Sequence, residues 1–133
     1  MAEDEAHEVV TGEGYAVANI GALGDGGGFR KIRRALEVKA LGINAIVMPA
    51  EFAGRRHYHY EQEETYFIHA GHAELEFGDG SVHRLGPGGV ARIDAATVRR
   101  IRNVGDGELV YIAVGAKDGY VDNDGHLLPS EET

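Results

Sequence analysis

In Ala73-Glu74-Leu75-Glu76-Phe77 the apolar side chains fall on one face and both carboxylates on the other. That is the two-residue period of a half-buried antiparallel strand. Comparable short apolar stretches recur along the chain, and amphipathic patterns of helical period are missing. The pattern predicts strands over 15–19, 36–40, 43–48, 56–60, 65–70, 73–77, 81–85, 90–93, 98–102 and 109–115. Turns are expected at 49–54, 71–72, 78–80, 86–89 and 105–107, with Asp79-Gly80 the clearest hairpin signal. Many short strands at this spacing imply an all-β molecule of two antiparallel sheets forming a closed or nearly closed barrel.

Composition narrows the picture. The chain has 133 residues, enough for one domain, which we place at 12–122 with loosely held tails at 1–11 and 123–133. Glycine is abundant, at 20 residues, as turn-rich β structure requires. There is no cysteine, so disulfides and thiolate metal sites are excluded. The net charge of −9 repels phosphate backbones and argues against nucleic acid as a partner. No apolar run is long enough to span a membrane, and the acidic N-terminus does not read as a signal peptide. A soluble, cytoplasmic protein is the expectation.

The chemistry concentrates between Gly54 and Gly71. His57 and His59 are two apart, so on a strand both imidazoles point to one face, while Tyr58 and Tyr60 point to the other. A turn through Glu61–Glu63 would return Glu64 on the neighbouring strand, opposite the histidines. Two neutral imidazoles and a carboxylate converging in this way suit a divalent transition metal: Fe, Mn, Ni or Zn.

The pattern His57-x-His59, four residues, Glu64, six residues, Gly71 resembles the first signature motif of the cupin family. Leu85-Gly86-Pro87-Gly88-Gly89 is similar to the Pro-x-Gly turn of the second motif, and Asn103 stands where that motif ends. The resemblance runs from about Ile43 to Val114 and is closest to small single-barrel cupins. It implies a double-stranded β-helix, or jelly roll, a metal in the barrel, and a homodimer. Where the second motif supplies a histidine ligand, this chain has Arg99.

Arg99 changes the expected chemistry. Alternation puts Arg99 and Ile101 on the interior face, with Val98, Arg100 and Arg102 on the other. A guanidinium stays protonated and cannot ligate a cation. At 5 Å and an effective dielectric of 20 it would repel a dication by roughly 7 kcal/mol. Three arrangements answer this. The metal sits on His57, His59 and Glu64 while Arg99 grips an anionic ligand; Arg99 pairs with Glu64 and no metal binds; or Gln62, Glu63 or water completes the shell.

Tyr66, two after Glu64, should face the interior, either lining a substrate pocket or as a core aromatic. His69, His72 and His83 read as surface groups, and His7 and His126 fall in the tails. Gly24–Gly28 reads as a flexible loop, since no phosphate-loop Gly-Lys-Ser/Thr follows. Arg30, Lys31, Arg33 and Arg34 read as a solvated basic face that could also meet an acidic surface of another subunit. Asp122-x-Asp124-Gly125 reads as a turn, because the rest of a calcium loop is missing.

Two functions fit. One is a metal-dependent enzyme on a small, anionic organic molecule: by family resemblance a dioxygenase, isomerase, lyase or decarboxylase. There His57, His59 and Glu64 would be ligands, Arg99 and Tyr66 catalytic, and Arg99, Tyr66 and Ile101 substrate contacts. The other is a non-catalytic barrel that holds a small molecule, metal-free with an Arg99–Glu64 ion pair.

Overall fold

The two-residue period is written directly into burial. Ala73 and Leu75 are buried, while Glu74 and Glu76 stay partly exposed on the other face. The computed structural model describes residues 8–129. Its strands are β1 (Val10–Gly12), β2 (Tyr15–Val17), β3 (Gly28–Arg30), β4 (Gly42–Met48), β5 (His57–His59) and β6 (Glu63–Ala70). They continue as β7 (Ala73–Phe77), β8 (Val82–Leu85), β9 (Val90–Ile93), β10 (Arg99–Asn103), β11 (Leu109–Ala116) and β12 (Gly125–Leu127). Among the described residues the one α-helix, α1 (Ile32–Leu36), stands beside β4, and a 3-10 turn covers Ile20–Ala22.

Two five-stranded sheets, ordered β12-β5-β10-β7-β8 and β3-β4-β11-β6-β9, face each other. Every pairing within them is antiparallel. Neighbours in each sheet are mostly distant in sequence, which is the jelly-roll topology that the family resemblance implies. One core fills the space between. Ile46, Met48, Tyr66, Ile68 and Leu109 come from one sheet and Leu75 and Ile101 from the other.

Tight turns hold the motif glycines in place. Gly71 adopts φ +85°, and a Cβ there would run into the Glu108 carbonyl oxygen. At the β7–β8 hairpin Gly80 takes φ +88°, and the Ser81 N–H donates to the Asp79 carboxylate at 2.8 Å. Asn103 ties three chain segments together, since its amide donates to the carbonyls of Met48, Pro49 and Gly107 at 3.0, 3.0 and 2.9 Å.

Several expectations need correction. No strand forms over 36–40. Residues Ile32–Leu36 are helical, and Glu37 ends the helix in the left-handed region at φ 56°. The Val38 N–H then reaches back to the Arg33 carbonyl at 3.0 Å. The apolar alternation of Leu36, Val38 and Ala40 only mimics a strand. Residues 24–27 are irregular as expected, but Gly28–Arg30 forms an edge strand on β4, and Arg30 is buried rather than part of a solvated basic face.

Parts of both expected tails are ordered too. Val10–Gly12 pairs with Tyr15–Val17, and Gly125–Leu127 pairs with His57–His59. His126 belongs to this last strand, whereas His7 lies outside the described residues. Among the described residues no helix is long and apolar enough to cross a membrane.

Candidate metal centre

His57 and His59 stand on β5, and the chain turns through Glu61 and Gln62 before Glu64 enters on β6. One donor atom from each of the three lies within 4.8 Å of the others. The sequence-predicted ligand set is therefore brought together. Both imidazoles are oriented from behind. His57 Nδ1 is 3.4 Å from the Arg55 carbonyl, so that nitrogen carries the proton and Nε2 keeps its lone pair. His59 Nδ1 faces the Asp124 carboxylate at 3.5 Å and the Gln62 amide at 2.9 Å, while its Nε2 is 3.3 Å from Glu64 Oε1. The Gln62 side-chain N–H donates to Nδ1 and places the His59 proton on Nε2, toward Glu64; a cation at Nε2 would need that proton moved to Nδ1, where the Asp124 carboxylate is the group to accept it.

Asp124 is the functional residue that the sequence concealed. It is 5% exposed, and it accepts the Glu61 N–H at 3.0 Å and the Gln62 N–H at 2.8 Å. It thereby clamps the turn between the ligand strands. Burial pushes its pKa up, but these N–H groups and the nearby His59 outweigh that and hold it below the ordinary value. The Asp-x-Asp-Gly spacing signals a turn. Nothing local says that its second carboxylate packs against residues some sixty positions earlier.

Arg99 faces inward as alternation requires, directly across from His57 in the β10–β5 register. Its side chain is fully buried. One terminal nitrogen donates to Glu64 Oε1 at 3.0 Å, and the other to the carbonyls of Thr97 and Ala95 at 2.6 and 3.2 Å. Its Nε has no partner among the described residues. Arg99 does not line the main cavity, so its guanidinium is a partner to Glu64 rather than a group offered to a ligand.

Tyr66 also turns to Glu64 and donates its hydroxyl to Oε1 at 3.2 Å. No hydrogen bond reaches Glu64 Oε2 among the described residues, so one oxygen of the carboxylate stays open for a cation. Burial pushes the Glu64 pKa up, yet the hydrogen bond and charge of His59, with Arg99 and His57, bring it below the ordinary value. The His57 pKa is lowered by burial first and by Arg99 second. A neutral imidazole and an ionised carboxylate are the states a metal needs. The donor set therefore fits a divalent transition ion, while Arg99 holds a positive charge against the same carboxylate.

The centre opens into a cavity of about 890 Å³, within the range of small-molecule sites. Its walls are mainly apolar and include Ile46, Tyr66, Ile101 and Tyr111. Tyr66 and Ile101 thus line the cavity and belong to the core as well. Burial pushes the Tyr66 phenol well above its ordinary pKa and does the same to Tyr111. Gln62 lines the cavity beside His59, whereas Glu63 is exposed and turned toward Arg92. His69, His72 and His83 are exposed.

A family model described as "Cupin domain" matches residues 44–115. No curated protein matches the chain. A solved structure of DMSP lyase DddQ from Ruegeria pomeroyi is 28% identical, with a TM-score of 0.61 over 70% of this chain and 46% of that one. A sugar phosphate isomerase of the cupin superfamily from Silicibacter pomeroyi is 22% identical, with a TM-score of 0.62 over 71% of this chain and 64% of that one. This chain thus spans about half the length of the lyase and under two thirds of the isomerase. A cupin protein from Bacteroides fragilis fits nearly end to end: TM-score 0.67 and 21% identity over 86% of this chain and 98% of that one. With the family model covering more than half of its length, the chain belongs to the cupin family.

Proposed function

We propose that the protein is a metal-dependent cupin enzyme of lyase or isomerase type, with His57, His59 and Glu64 holding a divalent transition metal. The carrying observation is the three-donor cluster within 4.8 Å, with both imidazoles braced at Nδ1 and the whole facing a largely apolar cavity. A cation held there would act as a Lewis acid on a substrate carbonyl or carboxylate.

The chain's own residues then supply a hydrogen-bond donor and exclude water. Tyr66 stays protonated at neutral pH beside the ligand carboxylate, so its hydroxyl is placed to donate a hydrogen bond to a substrate oxygen. Tyr111 packs against it with ring centroids 5.1 Å apart and keeps that wall dry. The lyase and isomerase among the structural neighbours are in keeping with this reading.

A second reading has its own support. The Arg99–Glu64 pair at 3.0 Å is what a metal-free binding barrel would contain. Metal analysis of untagged protein separates the two: one equivalent per chain, lost in His59→Ala, supports the enzyme, and a metal-free chain supports the barrel. With the metal in place, Tyr66→Phe should cut turnover of an identified substrate by about 10²-fold or more while leaving metal content unchanged. Stoichiometric oxygen uptake by the iron-loaded protein with a small acid would replace the lyase or isomerase assignment by an oxygenase.

A further inference from the structure

Against the wall of the cavity lies a groove of about 390 Å³ whose lining includes Lys31, Arg33, Arg34, Asn44 and Tyr120 and no acidic residue. Phe29, Gly42, Asn44 and Tyr120 line both the groove and the main cavity, so the two adjoin. The Arg33 guanidinium lies 3.8 Å from the centroid of the Tyr120 ring. That ring is held in turn by a hydroxyl bond to Asp122 at 3.1 Å. The side chains of Lys31, Arg33 and Arg34 make no ion pair among the described residues. Three unneutralised cations gathered on a chain of net charge −9 form a local attractor for anions on a surface that otherwise repels them.

Sheet register fixes the spacing between this groove and the metal cluster. Glu64 on β6 pairs with Gly115 on β11, and Gly115 pairs with Gly42 on β4. Two inter-strand steps put Gly42 about 10 Å from Glu64. The Tyr120 ring stands over Gly42, 3.2 Å from where a Cβ would be, and Arg33 covers that ring. Gly42 and Gly115 both line the cavity. Other side chains occupy the space these glycines leave, the Tyr120 ring over Gly42 and the Gln62 amide over Gly115, so a ligand joining the cluster to the groove passes along that amide and that ring.

We propose that the Lys31–Arg33–Arg34 groove is a second subsite that takes the anionic terminus of the substrate. The substrate is then an elongated organic anion whose phosphate or carboxylate sits roughly 10–15 Å from the reacting end. Arg33, preorganised on Tyr120, provides the planar fork for that group, and Arg34 and Lys31 supply charge. This rests on the metal cluster as the reacting end. It also moves anion recognition from Arg99, whose guanidinium is already engaged, to this groove.

The test is isothermal titration of the full zinc-loaded chain with phenylhexyl phosphate, phenylhexanoate and phenylhexanol. At least one anion should bind about tenfold or more tightly than the neutral alcohol. The advantage should vanish in the Arg33→Gln/Arg34→Gln double variant and largely survive in Arg33→Lys. Whichever anion holds the larger advantage identifies the terminus. Equal binding of all three by the wild type, or an advantage undiminished in the double variant, overturns the proposal. His57→Ala, which loses the metal, keeps the anion preference if the groove carries it. If the preference disappears there, the anion sits on the metal and the groove is not a subsite. A chain that takes up no metal yet shows the preference refutes the enzyme reading and leaves the groove standing.

Discussion

Arg99 and Glu64 hold opposite roles in one contact. The guanidinium stabilises the carboxylate in the ionised form, yet it places a positive charge beside a cation site. Removing one partner of a buried pair leaves the other uncompensated, so Arg99→Ala should destabilise the metal-free protein by about 3–5 kcal/mol in urea denaturation. Arg99→His should act differently at the centre. It removes the repulsion and offers a fourth donor across from His57, so zinc affinity measured by competition with a chelating dye should rise at least about tenfold. Unchanged affinity would mean that the guanidinium does not face the cation. Arg99's inward position was legible, because alternation along β10 leaves no other face for it. Its bonds to the Ala95 and Thr97 carbonyls were not, since they depend on the bend before the strand.

At the scale of elements, β12 matters most. It closes one edge of the sheet that carries His57 and His59, and Asp124 just before it clamps the Glu61–Gln62 turn. A chain ended at residue 122 should therefore keep its circular-dichroism β signature while metal affinity drops by about 10–100-fold. Asp124→Asn should fall between this and wild type.

On the outer face of the same sheet, Glu76 receives Arg56 and Arg100, each at 2.8 Å. The Arg56 hydrogen bond is the main cause of its lowered pKa. A folded pKa below the unfolded value gives stability that is present above the ordinary glutamate range and lost as pH falls through it. Glu76→Gln should cost up to about 1 kcal/mol at pH 7 and flatten the stability decline below about pH 5. An identical acid limb in thermal melts would remove Glu76 from that decline.

The central strands β6, β7 and β11 were readable because their periods and glycine turns agree. The segment at 36–40 was not, since five helix-compatible residues and a left-handed Glu37 outweighed a short alternation. β12 was hidden because three exposed residues carry no pattern, and its pairing partner lies far upstream.

For the whole molecule, two sheets close around one core and leave a cavity in which the His57, His59 and Glu64 cluster sits at the wall. An ion that binds only the folded chain stabilises it by about 2.7 kcal/mol at a hundredfold excess over Kd. Zinc or manganese should thus raise the melting temperature of wild type and leave Glu64→Gln nearly unmoved. The fold and the ligand triad could be read from local periodicity and motif spacing. The clamp by Asp124 and the basic groove over Tyr120 could not, because each is assembled from segments whose separation only the three-dimensional topology removes. The most direct measurement is elemental analysis of the untagged chain, equilibrated with divalent transition ions and then desalted, beside His57→Ala and Glu64→Gln. The account predicts close to one ion per wild-type chain and a small fraction of that in either variant. Equal occupancy in all three, or none in wild type, would contradict it.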